Sequence, residues 1–444
     1  MDELASRINQ AVPGTALVVG LSGGADSTLA LLVGCAARTL FGCALSAVHC
    51  IHGLDADDPL WLAHCQELCR KLKVPLTTPK LHIVYGHGVS PEDASRQERY
   101  RALLSAAQGA ALLLGHQADD QTENVLLMLK RGAGPGGLSG MREVTHDARG
   151  VILRPLLGLD KAQIEEILQA LGYDFVYDIS NSYLKFERNF IRLKVLPLLR
   201  ERFPGIDGSL RRSARLCGFE HELALRQARA AAAQCVDFTK RTLSLTTAPL
   251  DDEPLLLMLL KLYLEEAGQD TVSYNTLQAA LILCRGSADQ HTSLKIGSLF
   301  LRRFKNRLYL VAGYRPPPPG RYRLQAGESL TLGELRYTLV AVKAAEGSAV
   351  APGTLELCFY TDTPEVMLWF GAPGSLKLHP QTRVHPRELK KLFGEYEIPW
   401  WERAKECVIE DTHSGEALAL GQSFVTKKGS EPRQWALRLE IQPK

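Results

Sequence analysis

Between Ala16 and Leu114 short apolar runs alternate with amphipathic stretches, a pattern that fits a parallel sheet covered by helices on both faces. Ala16–Leu21, Ala44–Cys50, Leu76–Leu81 and Ala111–Leu114 read as strands. Ser27–Leu40, Pro59–Leu72 and Pro91–Gln108 carry apolar residues three and four apart and read as helices. Further helices are predicted over Gln117–Arg131, Lys161–Leu171 and Asn189–Arg202, with the Gly-rich loop Gly132–Gly140 expected to be a mobile segment. The expected class for this part is α/β.

A chain of 444 residues exceeds what one core sustains, about 250–300 residues, so two or three domains are expected. Pro204-Gly205 is the first candidate boundary. Ala/Leu-rich helices follow (Ser209–Ala233, Leu255–Ala267, Ser273–Cys284), closed by the strand-like runs Ser298–Arg303 and Arg307–Val311. Arg315-Pro-Pro-Pro-Pro-Gly320 reads as an extended linker, since consecutive prolines cannot donate to a ladder. Beyond it Glu334–Val342, Leu355–Tyr360, the helix Pro386–Phe393 and the run Ala417–Val425 suggest a small α+β unit. The domains are therefore expected at 1–205, 206–314 and 321–444.

At 45% apolar and 23% charged residues the composition excludes a disordered chain. No run reaches the length of a membrane span and the first residues lack a signal pattern, so a cytoplasmic protein without membrane contact is expected. The ten cysteines include no C-x-x-C and read as reduced thiols. A net charge of +3 says little about nucleic acid; the clusters Arg211, Arg212, Arg215 and Arg302, Arg303, Lys305, Arg307 suit phosphates better.

Ser22-Gly-Gly-Ala-Asp-Ser27 follows a strand and opens a helix, which makes its amides a phosphate site. The lysine of a Walker A loop is absent. Read alone, the segment is also a strand–turn–helix corner with Asp26 or Ser27 as cap. Its six residues resemble the PP-loop of ATP pyrophosphatases.

Four further segments are similar to the tRNA(Ile)-lysidine synthetase family within that superfamily. Val48-His-Cys-Ile-His-Gly-Leu54 resembles V-H-x-x-H-G-L, although His49 reads equally as a polar residue at a strand end. Glu92–Tyr100 resembles E-x-x-A-R-x-x-R-Y with Ser95 in place of alanine; Arg96 and Arg99 share a helical face, where salt-bridging to Glu92 and Asp93 is the alternative. Gly115–Asn124 resembles G-H-x-A-D-D-Q-x-E-T with Asn124 for threonine, and Asp120-x-x-Glu123 taken alone is also a capping box. Asp178–Arg192 resembles D-P-S/T-N-x-D-x-x-Y-x-R-N-x-x-R, with Ile179, Tyr183 and Phe186 departing from it. More weakly, His379-Pro380 and Leu389–Arg403 resemble the C-terminal module of the longer members, with Trp400 and Trp401 offering aromatic faces for bases.

The resemblance implies a PP-loop fold of the adenine nucleotide alpha hydrolase type. It implies ATP held by Ser22, Gly23, Gly24, Ala25, Asp26, Ser27 and His52, with Mg2+ on Asp26. Lysine's ammonium would lie on Asp120 and Glu123 beside His116, with Arg188 and Arg192 at the reacting centre. Partner tRNA(Ile) would meet Arg96, Arg99, Lys390, Lys391 and Trp400. The implied reaction joins L-lysine to C2 of the wobble cytidine through an adenylated base; the general base, for which His116 is one candidate, and the oligomeric state, a homodimer included, stay open. The alternatives are another PP-loop adenylating enzyme, acting on tRNA or a small molecule, and a non-catalytic RNA-binding protein.

Overall fold

The computed structural model of the chain describes all residues except 52–57, 82–90, 148–149, 178–181, 267, 269–271, 288–291, 343–357 and 444. It divides into two compact units, Met1–Leu223 and Ala224–Lys444.

The first unit contains, in order, α1 (Asp2–Ala11), β1 (Leu17–Gly20), α2 (Ala25–Phe41), β2 (Leu45–Val48), α3 (Asp58–Leu72), β3 (Leu76–Thr77), α4 (Pro91–Ala106), β4 (Ala111–Leu113), α5 (Ala118–Lys130), α6 (Pro135–Leu138), β5 (Val144–Asp147), β6 (Gly150–Leu153), α7 (Lys161–Leu171), α8 (Glu187–Phe190), α9 (Leu196–Arg202) and the start of α10 (Ile206–Cys235). One sheet runs in the order β3-β2-β1-β4-β6-β5 and is parallel except for the edge strand β5. Successive strand residues face opposite sides. Leu17, Val19, Ala111 and Leu113 accordingly enter a core with Leu29, Leu31 and Val33 of α2 and Ile164 and Leu168 of α7. Val18, Leu112 and Ile152 enter the other core, with Leu103 and Leu104 of α4. The chain winds from β1 to β3 in one direction and returns to β4 on the other flank of β1. Ligands of open α/β sheets bind at such a reversal, beyond the strands' carboxyl ends.

Three local expectations need correction. The hairpin β5–β6 lies in a stretch where no strand was predicted. Gly132–Gly140 is not a bare flexible loop: it holds α6, and Gln121 pins its end by accepting from the Met141 amide at 2.7 Å. The helix predicted over Asn189–Arg202 begins at Glu187 and widens into a π-helical turn at Ile191–Val195.

In the second unit, the helices Glu253–Glu266 and Tyr274–Arg285 share a core with a five-stranded antiparallel sheet, of which the predicted hairpin, Leu299–Phe304 with Arg307–Ala312, is only a part. After the prolines, two antiparallel sheets of five and four strands enclose a core that includes Leu324, Tyr337, Phe359, Phe370, Ile409 and Leu437. The run Ala417–Val425 is two paired strands, Ala417–Leu420 and Phe424–Val425, and the helix expected from Pro386 starts at Leu389. Tyr314, just before the prolines, donates its hydroxyl to the Trp401 carbonyl, so the linker is anchored at its start. No helix among the described residues is long and apolar enough to cross a membrane.

Candidate active site at the carboxyl edge of the sheet

The loop after β1 closes on its own serine. Ser27 Oγ accepts from the amides of Ser22 and Gly23 at 3.1 and 3.2 Å and lies 3.0 Å from the Gly24 carbonyl, to which it donates. Gly24 is the extended N-cap of α2, so Ala25, Asp26 and Ser27 supply first-turn amides that have no carbonyl one turn earlier to bond. Gly23 sits at φ +93°, and a Cβ there would also meet Cys65 Sγ at 3.3 Å, which restricts the position to glycine. Gly115, at the end of β4, lies against the same turn: a Cβ on it would come 2.6 Å from the Asp26 carbonyl oxygen.

Asp26 is half-buried, and its Oδ1 is enclosed without a hydrogen-bond partner among the described residues. Burial, reinforced by the charge of Asp120, pushes its carboxyl up to about 7. Lys161 and Arg192 offset this only in part, so a cation or donor brought to Oδ1 would favour the anionic form.

The neighbouring helix α5 opens with a capping box, but not the Asp120–Glu123 box that the spacing alone allows. Gln117 is the N-cap: its side chain accepts from the Asp119 amide at 2.6 Å, and its own amide donates to Asp120 Oδ2 at 3.0 Å. Asp120 therefore serves as the third residue of the box and Glu123 has no part in it. Glu123 is fully buried and Asp120 nearly so. Two arginines from the segment after α7 neutralise them. Arg192 donates Nε and Nη2 to the two oxygens of Glu123 at 2.5 and 3.0 Å, and Arg188 donates Nη1 to Asp120 Oδ1 at 3.2 Å. Arg192 Nη2 also stands 3.5 Å from Asp120 Oδ1. Burial raises the Glu123 carboxyl above its ordinary range, against the pull of Arg192.

His116, between β4 and α5, has a buried Nδ1 without a partner among the described residues. Burial first, then the charges of Arg154, Arg96, Arg188 and Arg99, lower its imidazole to about 3. It is neutral near pH 7, an acceptor rather than a proton carrier, which makes it a poor general base. Arg154 was not singled out by any sequence pattern. It is buried just after β6, donates Nη1 to Thr145 Oγ1 at 2.8 Å and to the Arg142 carbonyl at 2.9 Å, and leaves Nε without a partner among the described residues. Arg99 is lowered by burial and by Arg96, which stacks over Tyr100 at 5.5 Å.

His49 belongs to the core, with Nδ1 2.9 Å from the Leu21 carbonyl and 3.4 Å from Cys65 Sγ. His52 and residues 178–181 lie outside the described residues. Lys390, Lys391 and Trp400 lie in the second unit. Both lysines are exposed and reach Glu388, at 3.4 and 3.1 Å. Trp400 is half-buried, edge-on to Trp401 at 5.3 Å, with Arg302 5.2 Å from its ring. Trp401 is not an open base platform, being packed against Phe304 and Tyr309 with 5% of its surface exposed. Arg303 is likewise unavailable to phosphates: its Nη1 is spent on the carbonyls of Leu283, Cys284 and Gly286.

Comparison with known proteins gives this geometry a family. Residues 1–199 match the model of the PP-loop domain, and residues 366–441 match that of the TilS substrate C-terminal domain. The tRNA(Ile)-lysidine synthase of Vibrio vulnificus strain CMCP6 is 32% identical over 442 residues, spanning 96% of this chain and 97% of that one. That of Vibrio cholerae strain ATCC 39315 is 32% identical over 93% of this chain and 92% of its own. The enzyme of the same name from Shewanella woodyi is 32% identical over 89% of this chain and 86% of its own. Identity at that level, carried across nearly the full length of both partners, places the chain in the tRNA(Ile)-lysidine synthase family.

Proposed function

We propose that the chain uses ATP to join lysine to C2 of the wobble cytidine of tRNA(Ile), forming lysidine and releasing AMP and pyrophosphate. The observation that carries this reading is a serine-closed phosphate loop flanked by a buried carboxylate pair, in a chain whose relatives of that name match it nearly end to end. In the first step the cytidine C2 oxygen attacks the α-phosphorus and pyrophosphate leaves. In the second, the lysine ε-amine attacks C2, AMP leaves with the oxygen, and the amine gives up its proton.

The loop amides and the N-terminus of α2 would hold the phosphates. Mg2+ would be held by Asp26 Oδ1, a hard oxygen donor that is enclosed without a partner among the described residues. Among the described residues no group of three or more His, Cys, Asp or Glu side chains forms a metal centre, so phosphate oxygens and water would complete the coordination. When bound, the ion neutralises phosphate charge. Asp120 and Glu123 would receive the lysine ammonium, with the neutral His116 as a further acceptor. Because Arg188 and Arg192 already offset both carboxylates, the pocket gains a net positive charge on taking an ammonium. That excess favours loss of the proton before attack. Positioning and charge stabilisation then suffice without an enzyme nucleophile.

The test is incubation of the protein with ATP, labelled lysine and total tRNA, followed by identification of the labelled nucleotide. Label at the wobble cytidine of tRNA(Ile) is the expected result. Pyrophosphate release without lysine label would point to a different acceptor chemistry, and no pyrophosphate at all to a non-catalytic RNA binder.

A further inference from the structure

Beside the residues placed in the site, one ion-pair network joins the segments that build it. Arg200, near the end of α9, donates Nε and Nη2 to the two oxygens of Asp207 on α10 at 2.8 and 2.9 Å. The same Nη2 reaches Asp119 Oδ1 on α5 at 2.6 Å. The other oxygen of Asp119 accepts the amide of Lys161, the first residue of α7, at 3.2 Å. One guanidinium and one carboxylate thus tie the first turn of α5 to three other helices.

The network sets a register. Along residues 118–130 and the antiparallel segment 187–202, Asp119 meets Arg200, Glu123 meets Arg192 and Lys130 meets Glu187. Between Arg188 and Arg200 lies the π-helical turn, where the α-helical ladder is interrupted. A slip of a single residue moves a helical side chain by about 1.5 Å along the axis, enough to undo the two-oxygen grip of Arg192 on Glu123.

We infer that Arg200 is a positioning residue: by clamping Asp119 and Asp207 together it fixes the register at which Arg188 and Arg192 meet Asp120 and Glu123. This rests on the reading of that carboxylate pair as the lysine site. Partly exposed ion pairs contribute little to stability, so a merely structural role would leave the kinetics of lysine use unchanged.

The test uses the full chain with ATP and tRNA, measuring kcat, KM for lysine, KM for ATP and melting temperature. The variants are Arg200→Gln, Asp119→Asn and the double substitution. Asp119→Asn keeps an oxygen for the Lys161 amide while removing the charge that Arg200 grips, so it carries the test should Arg200→Gln fail to fold. Each single variant is expected to raise KM for lysine about tenfold while KM for ATP changes less than about twofold, and the double variant should be no worse than the worse single. Arg200→Lys, which keeps the charge and loses the fork, should recover part of the effect. Lysine KM values that stay at the wild-type level overturn the inference. So does a loss shared equally by lysine and ATP in step with a lower melting temperature. Wild-type protein that attaches no lysine overturns the functional reading and this inference with it, whereas active wild type with unaltered variants overturns the inference alone.

Discussion

Arg192 holds Glu123 through both carboxylate oxygens, in a site where Glu123 has no exposed surface. Stripping one partner from such a pair leaves an uncompensated charge, at a cost of about 3 kcal/mol or more. Arg192→Gln is therefore expected to lower the melting temperature clearly. Glu123→Gln should cost less stability, because the Arg192 side chain it leaves is 30% exposed and still faces Asp120 at 3.5 Å, and should chiefly raise KM for lysine, about ten- to a hundredfold, the value of one charge-assisted hydrogen bond. Thermal melts beside lysine titrations separate the two. Equal stability losses with unaltered lysine use would show that the pair serves only the fold.

Gly115→Ala tests the seating of β4 on the phosphate loop. The added methyl would lie 2.6 Å from the Asp26 carbonyl oxygen and 2.9 Å from the Ser27 amide, both backbone atoms, so the first turn of α2 must move. ATP-dependent pyrophosphate release should fall at least about tenfold, as a misplacement near 1 Å can cost more than that. Normal release would show that the loop tolerates the shift.

The raised Asp26 carboxyl, at about 7, fixes the sign of a pH effect. Between its unfolded value, 3.8, and about 7 the folded chain binds a proton that the unfolded chain has lost, so this group makes the ligand-free protein less stable as pH rises through that window. Asp26→Asn should shrink the fall in melting temperature between pH 5 and pH 8. It should also abolish turnover, since the carboxylate that would meet the cation is gone. A melting profile identical to wild type would contradict the buried, protonated carboxyl.

Glu406 makes the same argument in the second unit. Its carboxyl is pushed to about 7 by burial, and its Oε2 lacks a partner among the described residues. Glu406→Gln should match wild type near pH 5 and melt higher above pH 8, where wild type must bury a charge. Calorimetry across that range checks it, and a variant that melts lower at pH 8 would show that the charge is compensated.

Lys390→Ala with Lys391→Ala concerns tRNA. Both side chains are exposed and share one acid, Glu388, so they retain charge to offer a phosphate. Binding of tRNA should weaken and its salt dependence become shallower, since fewer contacts release fewer counterions, while lysine and ATP constants hold. An unchanged salt slope would remove these lysines from the tRNA interface.

The sequence by itself determined what is local. Alternating apolar runs between Ala16 and Leu114 were enough for the parallel strands β1 to β4 and the helices between them, though not for β6, because strand and helix periods are written over a few neighbouring residues. The spacing of Asp120 from Glu123, and of Arg188 from Arg192, placed each pair on one helical face. Only the tertiary structure decided how those faces are used. Arg188 and Arg192 meet their carboxylates across 68 and 69 residues of chain, and the capping box moved to Gln117 so that Glu123 stays free for Arg192. The same long-range packing buried Arg303 among carbonyls and Trp401 among aromatic rings, although in sequence both look like open contact residues. A charged or aromatic side chain carries no local sign of its partner, because burial and pairing depend on which distant segment the fold lays against it.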